Sequence, residues 1–290
     1  MRLGPDGAVG LGFYCMKTLF SAAVLAVTTT GVLSAQSPPP GMETALAPSN
    51  PAAAIAEGVR DFNARQPELA RRQFESALAV DSTNYEANWR LALTLITLGS
   101  ETPDSIKSPE RDSLFVQAER LARRAVAADS LGADGHFLLA RAIGQIALTK
   151  GKKERIRLGG EVRNEALRAI ELNPKHDGAY HVLGRWNAEV MRLSGFSRFF
   201  ARQFLGGDVL SKASWDAAIS NLERAVKLDS TRITHRLDLA KVYIDRKRYA
   251  DARRQLEAVE TLPVRDFEDP RYKQQAAGLM QRIANRKDAS

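Results

Sequence analysis

Cysteine is nearly absent from this sequence, since Cys15 is the one thiol among 290 residues. A chain with a single thiol cannot form an internal disulfide, so packing must stabilise its fold. Histidine is also scarce, and the four histidines occupy no spacing typical of a metal site: His136, His176, His181 and His235. The sequence contains no glycine-rich phosphate loop and no nucleophile elbow. These absences predict a protein that is not an enzyme and that requires neither a cofactor nor a metal.

Long apolar runs are scarce too, and the clearest example lies near the N-terminus. Met16-Lys17 precede an apolar run, Leu19 to Leu33, which is followed by the small residues Ser34-Ala35. A basic start, an apolar stretch of this length and a small-residue end are typical of a secretory signal. The run is short for a membrane span, and an uncleaved anchor is the alternative. We therefore expect export to the periplasm or cell envelope, with residues 1–35 as a signal segment cleaved near Ala35.

The signal pattern and the composition that follows it divide the chain into three parts. Residues 1–15 add nothing that a signal needs, so we expect translation to start at Met16. Residues 36–51 are rich in proline, alanine and serine without periodicity, which predicts a flexible linker. Residues 52–290 are then expected to form the folded domain.

Aromatic residues make up 7% of the chain while alanine is plentiful, which favours helix. The net charge is +8, and the basic residues are scattered rather than clustered. Scattered cations on an exported protein argue against nucleic acid as a partner. They favour an acidic protein or peptide, although solvated helix faces are the simpler interpretation.

A six-residue phrase occurs four times, at Ala77–Ser82, Ala125–Ser130, Ala169–Pro174 and Ala225–Ser230. Seven residues before each first alanine stand Ala70, Ala118, Val162 and Ala218. Three residues before it stand Phe74, Ala122, Ala166 and Leu222. Eleven residues after each Asp or Asn stand Ala92, Ala140, Gly184 and Ala240. Small residues at fixed offsets let helices pack closely, so the phrase indicates a repeated helical unit whose Asp-Ser or Asn-Pro pair ends one helix and caps the next.

The repeat period identifies the architecture. Ala225 and Val259 occupy equivalent positions 34 residues apart, which is the period of a tetratricopeptide (helix–turn–helix) repeat. The earlier copies are 48, 44 and 56 residues apart, so their helices or loops must be longer. We predict an all-α, tetratricopeptide-like right-handed superhelix with extended helices. A final helix from about Pro270 to Arg286 is expected to cap it.

The extra residues fall between the first and second helix of each unit. Residues 100–110 contain Pro103 and Pro109 and predict a loop. Residues 149–158 are basic and predict longer helices around a turn. Residues 191–212 are rich in phenylalanine and are considered below.

Several phrases in the second half resemble the regulator of microtubule dynamics family, including its bacterial members. They are Gly151–Ile156, Ala169–Asp177, Leu183–Trp186, Phe199–Gly207, Ser214–Ile219 and Leu262–Val264, so the resemblance spans about 151–283. It implies an all-helical, repeat-built interaction protein without a known catalytic centre. Eukaryotic relatives are linked to microtubules and to organelle membranes. A secretory signal separates this chain from any tubulin-like polymer, so we carry over the fold and the adaptor character alone.

A binding face can be predicted from the repeat register. In stacked helix pairs the first helix of each unit lines the concave surface. The residues that follow the small contact position are Leu93, Arg141, Arg185 and Lys241. Three residues before that position stand Trp89, Phe137, His181 and Leu237. These eight residues predict a groove for an acidic or carboxylate-ending peptide. The alternative is that Trp89 and Phe137 are core and that the cations pair with glutamates of neighbouring helices.

The segment Phe196–Leu205 carries four phenylalanines among arginines: Phe196, Phe199, Phe200 and Phe204. Glycines bracket the segment, which favours a lid packed on the repeats. The alternative is a peripheral membrane contact, with the arginines at the level of the lipid phosphates.

The two interpretations predict different behaviour. A packed lid predicts that Phe200→Asp unfolds the repeats, which circular dichroism would detect. A membrane contact predicts that the protein co-sediments with anionic vesicles and that salt weakens this. A folded Phe200→Asp variant that has lost vesicle binding would therefore contradict the lid.

Overall fold

The computed structural model describes residues 50–103, 106–193 and 208–288, and within these ranges every regular element is a helix. The helices are α1 (Pro51–Asn63), α2 (Pro67–Val80), α3 (Tyr85–Gly99), α4 (Pro109–Ala128), α5 (Ala133–Thr149), α6 (Lys152–Leu172), α7 (Asp177–Arg192), α8 (Asp208–Ser211), α9 (Trp215–Leu228), α10 (Ile233–Asp245), α11 (Tyr249–Thr261) and α12 (Asp269–Ile283). The predicted signal, most of the linker and the phenylalanine segment lie outside the described residues.

The long helices pack as consecutive pairs, as the repeat register predicts. The pairs are α1/α2, α3/α4, α5/α6, α7/α9 and α10/α11, and α12 packs on α10 and α11 as a sixth first helix. The first helices also touch each other in the order α1, α3, α5, α7, α10, α12. The prediction of an all-α, tetratricopeptide-like superhelix is confirmed, and the capping helix lies close to its expected bounds.

The recurring small residues are the points where helices meet. The alanines at these offset positions are completely buried: Ala70, Ala92, Ala118, Ala140, Ala166, Ala218 and Ala240. A side chain of one carbon lets two helix axes approach closely, and larger neighbours such as Phe74 and Leu222 fill the space beside each contact. The register therefore determines which face of each helix is inside.

The Asp or Asn of each recurring phrase ends its helix by the same device. The backbone N–H groups of Asp81, Asp129, Asn173 and Asp229 bond to the carbonyl of the alanine four residues earlier. Their side-chain oxygens accept the N–H of the residue two positions on, at 2.9 to 3.0 Å. The expectation that the same Asp-Ser or Asn-Pro pair also caps the next helix was wrong. The N-caps there are Asn84, Gly132, His176 and Arg232.

The extra residues in the units behave as expected where the structure describes them. Residues 100–103 and 106–108 lie outside any helix, whereas α5 and α6 are both long and are separated by a two-residue turn. Arg155 of α6 donates to the carbonyl oxygens of Ala147 and Leu148, at 3.2 and 2.8 Å. It thus supplies hydrogen-bond donors to two carbonyl groups in the last turn of α5, which lack partners within their own helix.

Gly184 shows how tight the helix contacts are. A Cβ added at Gly184 of α7 would lie 2.6 Å from Cγ and 3.1 Å from the backbone N of Leu222 in α9. We expect Gly184→Ala to lower the free energy of unfolding by about 1–3 kcal/mol, because α7 and α9 must move apart. Gly160→Ala is the matched control, since a Cβ at Gly160 of α6 meets nothing within 4 Å. It should stabilise by up to about 1 kcal/mol through helix propensity. Urea unfolding of both variants tests this, and equal effects would contradict it.

Candidate functional site

A cavity of about 910 Å³ lies along the face made by the first helices. Residues of α1, α3, α5 and α7 line it, together with part of α6. Residues 264–268 and Tyr272, which follow the last repeat, line the same cavity. The C-terminal segment therefore lies across the concave face of the repeats.

Much of the cavity wall is apolar. Aromatic and aliphatic side chains from several helices contribute to it, including Phe62, Trp89, Leu93, Phe137, Ile156 and Trp186. Trp186 donates its indole N–H to the carbonyl of Gly159 at 2.6 Å, so its polar atom is satisfied within the wall. A concave apolar surface with a few polar groups is typical of a ligand site.

Six of the eight residues expected on the inner face line this cavity: Trp89, Leu93, Phe137, Arg141, His181 and Arg185. Leu237 does not, because α12 covers that part of α10 and Leu237 is completely buried in the core beneath it. Lys241 is not among the lining residues either, and its ammonium bonds to Asp238 at 2.8 Å. The expected row of three cations is therefore shortened to two at the cavity.

The cations of this row have acidic neighbours, as the simpler alternative proposed. Asp238 of α10 approaches both Lys241 and Arg185, the latter at 3.4 Å. Arg141 of α5 lies 3.8 Å from Glu268, which is too long for a hydrogen bond. Glu268 in turn accepts a hydrogen bond from Tyr272 at 3.0 Å. Asp238 lies on α10, which neighbours the α7 helix of Arg185, but it is an aspartate rather than the expected glutamate. Glu268 precedes α12, which two first helices separate from the α5 helix of Arg141.

Two histidines that the sequence did not link lie side by side in the cavity wall. Nδ1 of His181 in α7 is 3.0 Å from Nδ1 of His235 in α10. Nε2 of His235 bonds to Asp177 at 2.8 Å, and Nε2 of His181 lies 3.3 Å from Asp238. Local spacing could not reveal a contact between residues 54 positions apart. The repeat register offered a partial signal, since it makes α7 and α10 neighbouring first helices.

Burial and charge shift the pKa values of this group in opposite ways. Burial lowers the pKa of His181 to about 4, and the nearby charge of His235 adds to this. Burial alone would raise the pKa of both carboxyls. The hydrogen bond from His235 and the charge of Arg232 nevertheless lower that of Asp177, while Lys241 and Arg185 lower that of Asp238. Both carboxyls are therefore ionised at neutral pH.

Within the described residues no group of three or more His, Cys, Asp or Glu side chains could hold a metal ion. In the same part of the chain, no helix combines the length and apolar character needed to cross a membrane.

Comparison with known proteins agrees with this architecture. The profile of the family described as Regulator of microtubule dynamics protein 1-3 matches residues 56–284. The chain belongs to this family. The match begins earlier than the resemblance at 151–283 suggested, and it includes the first helix pairs that carry Trp89 and Leu93.

Two mammalian members show how far the likeness extends. Regulator of microtubule dynamics protein 3 of Rattus norvegicus is 26% identical over 184 residues, which are 63% of this chain and 38% of the relative. Regulator of microtubule dynamics protein 1 of Bos taurus is 24% identical over 207 residues, 71% of this chain and 64% of the relative. This family member therefore spans less than two thirds of either relative's length.

A solved structure supports the fold. A thermophilic tetratricopeptide-repeat protein of Thermus thermophilus is 20% identical and superposes with a TM-score of 0.58, covering 80% of this chain and 99% of its own. At this identity the likeness shows the fold alone, so the family member is a tetratricopeptide-like helical protein.

Asp238 holds the junction of α7 and α10 together electrostatically. We expect Asp238→Asn to lower the free energy of unfolding by about 2 kcal/mol, because a neutral amide cannot balance the charges of Lys241 and Arg185. Asp245→Asn is the control, since Asp245 pairs with the half-exposed Arg192 and should cost less than about 1 kcal/mol. Urea unfolding at neutral pH measures both. Equal losses would show that Asp238 acts as an ordinary surface partner.

Proposed function

We propose that this family member is a non-catalytic scaffold that binds a segment of a partner protein in its concave cavity. The observation that carries the proposal is the cavity itself. Its volume of about 910 Å³ lies within the range of known ligand sites, and apolar side chains from four first helices face it. A single scaffold surface built from successive repeats suits an extended segment, whose side chains can contact several helices in turn.

The charge of the cavity favours an acidic partner. Seven arginines and five acidic residues line it, which leaves an excess of positive charge. Arg141 is well placed to donate hydrogen bonds to a partner's carboxylate. Its guanidinium lies 3.8 Å from Glu268, too far to form a hydrogen bond with it. A partner carboxylate at hydrogen-bonding distance would satisfy the guanidinium donors better.

His176 offers a second polar contact. Its Nδ1 accepts the N–H of Ala179 as the cap of α7, so its Nε2 carries the proton. That Nε2 is buried without a hydrogen bond, and Oδ1 of Asp134 lies 3.4 Å away in poor geometry. His176 lines the cavity beside Phe137, so a turn of its ring into the cavity would let Nε2 donate to a backbone carbonyl of the partner.

We place this binding in the cell envelope. The support is the pattern from Met16 to Ala35, which is typical of a secretory signal. The names of the mammalian relatives refer to microtubule dynamics, and we do not extend that role to an exported chain. The membrane alternative depends on Phe196–Leu205, which lie outside the described residues, and we do not propose it.

Gly144 provides a variant that fills the cavity without harming the fold. It lies inside α5 and lines the cavity, and a Cβ there would meet nothing within 4 Å. Gly144→Leu should stabilise the helix by about 0.5–1 kcal/mol while its side chain occupies the binding space. Gly160→Leu has the same propensity effect, and Gly160 is not among the lining residues.

The partner can be detected by a photo-cross-linking amino acid placed at Leu93 in cells of the source organism. We expect an adduct with a discrete envelope protein that Gly144→Leu reduces at least fivefold and Gly160→Leu leaves unchanged. A cross-linker at Leu131, which is exposed on a turn outside the cavity, is the control for non-specific capture. Equal adducts from Leu93 and Leu131, or an adduct that survives Gly144→Leu, would contradict the proposal.

A further inference from the structure

Four ionisable side chains form one row of polar contacts across the junction of the fourth and fifth helix pairs. The order is Asp177, His235, His181, Asp238, with contacts of 2.8, 3.0 and 3.3 Å. Asp177 and His181 belong to α7, whereas His235 and Asp238 belong to α10. The row therefore crosses from one helix to the other at its central contact, the one between the two imidazoles.

The number of protons in this row follows from the contacts. Both carboxylates are ionised, so each outer Nε2 must carry a proton. The Nε2 of His235 donates to Asp177, and an unprotonated Nε2 of His181 would point its lone pair at the carboxylate of Asp238, 3.3 Å away. The two Nδ1 atoms face each other at 3.0 Å, and one of them must donate to the other. The four imidazole nitrogens thus carry three protons, one more than two neutral rings would. A fourth proton would leave two N–H groups facing each other with no acceptor between them.

Both histidines and Asp238 are shielded from solvent, whereas Asp177 at the outer end of the row is partly exposed. His235 is 1% exposed, and His181 and Asp238 are each 9% exposed. Repulsion between two buried imidazolium groups is screened far less than it would be at the surface.

Among the described residues, the charged and titratable groups around the pair do not offer it a further acceptor. Besides the two carboxylates, they are His176 at the start of α7 and Arg185 within it, Lys241 on α10, Asp229 and Arg232 before α10, Asp134 and Arg141 on α5, and Asp266, Glu268 and Tyr272 in the C-terminal segment and α12. Asp134 lies beside His176 at 3.4 Å, and Asp229 accepts hydrogen bonds from Thr231. Asp266 lies 3.8 Å from Arg232, and Glu268 accepts a hydrogen bond from Tyr272. The central contact is therefore left with one proton.

We propose that His181 and His235 share this single proton and act as an acid-sensitive latch between α7 and α10. Uptake of a second proton separates the two imidazoles and loosens the junction. Both rings line the cavity, so loosening the junction alters the wall that holds the partner. The latch stands on the geometry alone, whereas release of a partner on acidification rests on the proposed function.

The direction of the pH effect follows from proton binding. In the unfolded chain His181 takes up its proton near pH 6.5, but in the folded chain its pKa is about 4. The unfolded state therefore binds more protons between these values, and stability is lost as the pH falls through this window. In this window the unfolded chain binds about one proton more at this pair than the folded chain does. The unfolding constant therefore rises about tenfold for each pH unit by which the pH falls.

The first test counts protons directly in the full chain labelled with ¹⁵N-histidine. At pH 7.5, nitrogen chemical shifts should show three protonated nitrogens across His181 and His235, assigned by His181→Gln and His235→Gln. Two neutral rings with independent transitions near pH 6.5 would overturn the proposal.

The second test measures urea unfolding from pH 6.5 to 4.5. Relative to His181→Gln, the wild-type unfolding constant should rise about tenfold per pH unit, while His136→Gln keeps the wild-type slope. His136 is a suitable control because it bonds to Glu165 and to the carbonyl of Ser130, away from the latch. Identical slopes for wild type and His181→Gln would overturn the latch. Neither test needs the partner, so the proposed function fails separately if the Leu93 cross-link is absent at neutral pH.

Discussion

Close approach of helices at small residues is the constraint on which the rest of the structure depends. Alanine occupies most of these contacts, and glycine replaces it at Gly184, where an added Cβ would lie 3.1 Å from the backbone N of Leu222 in α9. Because the contact positions recur at fixed offsets, each helix has a predetermined inner side. The aromatic and cationic side chains of α3, α5 and α7 then project together into one cavity. The binding surface is thus a by-product of the packing register.

The cavity joins apolar walls to positive charges that internal carboxylates neutralise in part. Asp238 contacts Lys241, Arg185 and His181 at the same time. Glu268, which lies near the C-terminal end of the chain, is the acidic neighbour of Arg141. Such pairing limits the cost of placing cations in a partly dry space. It also means that a partner must compete with internal carboxylates. Selectivity for an acidic segment would therefore depend on geometry as well as on net charge.

The fold could be predicted from the sequence because its determinants are local and periodic. Fixed offsets from Ala77, Ala125, Ala169 and Ala225 located the buried contacts and the helix ends. The site was less predictable, because its polar contacts join distant residues, such as Arg141 with Glu268 and His181 with His235. Leu237 illustrates the limit. It shares a register position with Trp89, Phe137 and His181, yet α12 covers it, and the register of α10 alone carries no information about that cover.

The C-terminal segment that crosses the concave face has a consequence for how this array can vary. In an open stack of repeats, a unit can be gained or lost without disturbing distant units, because each contacts its neighbours alone. Here the start of α12 lies against α5, three helix pairs earlier, through Glu268 and Arg141. Insertion or deletion of a helix pair between α5 and α12 would rotate and displace that segment away from its place on α5. Closure of the chain on itself therefore opposes a change in the number of repeats over this part of the array, whereas the loops within each unit can change length without disturbing it.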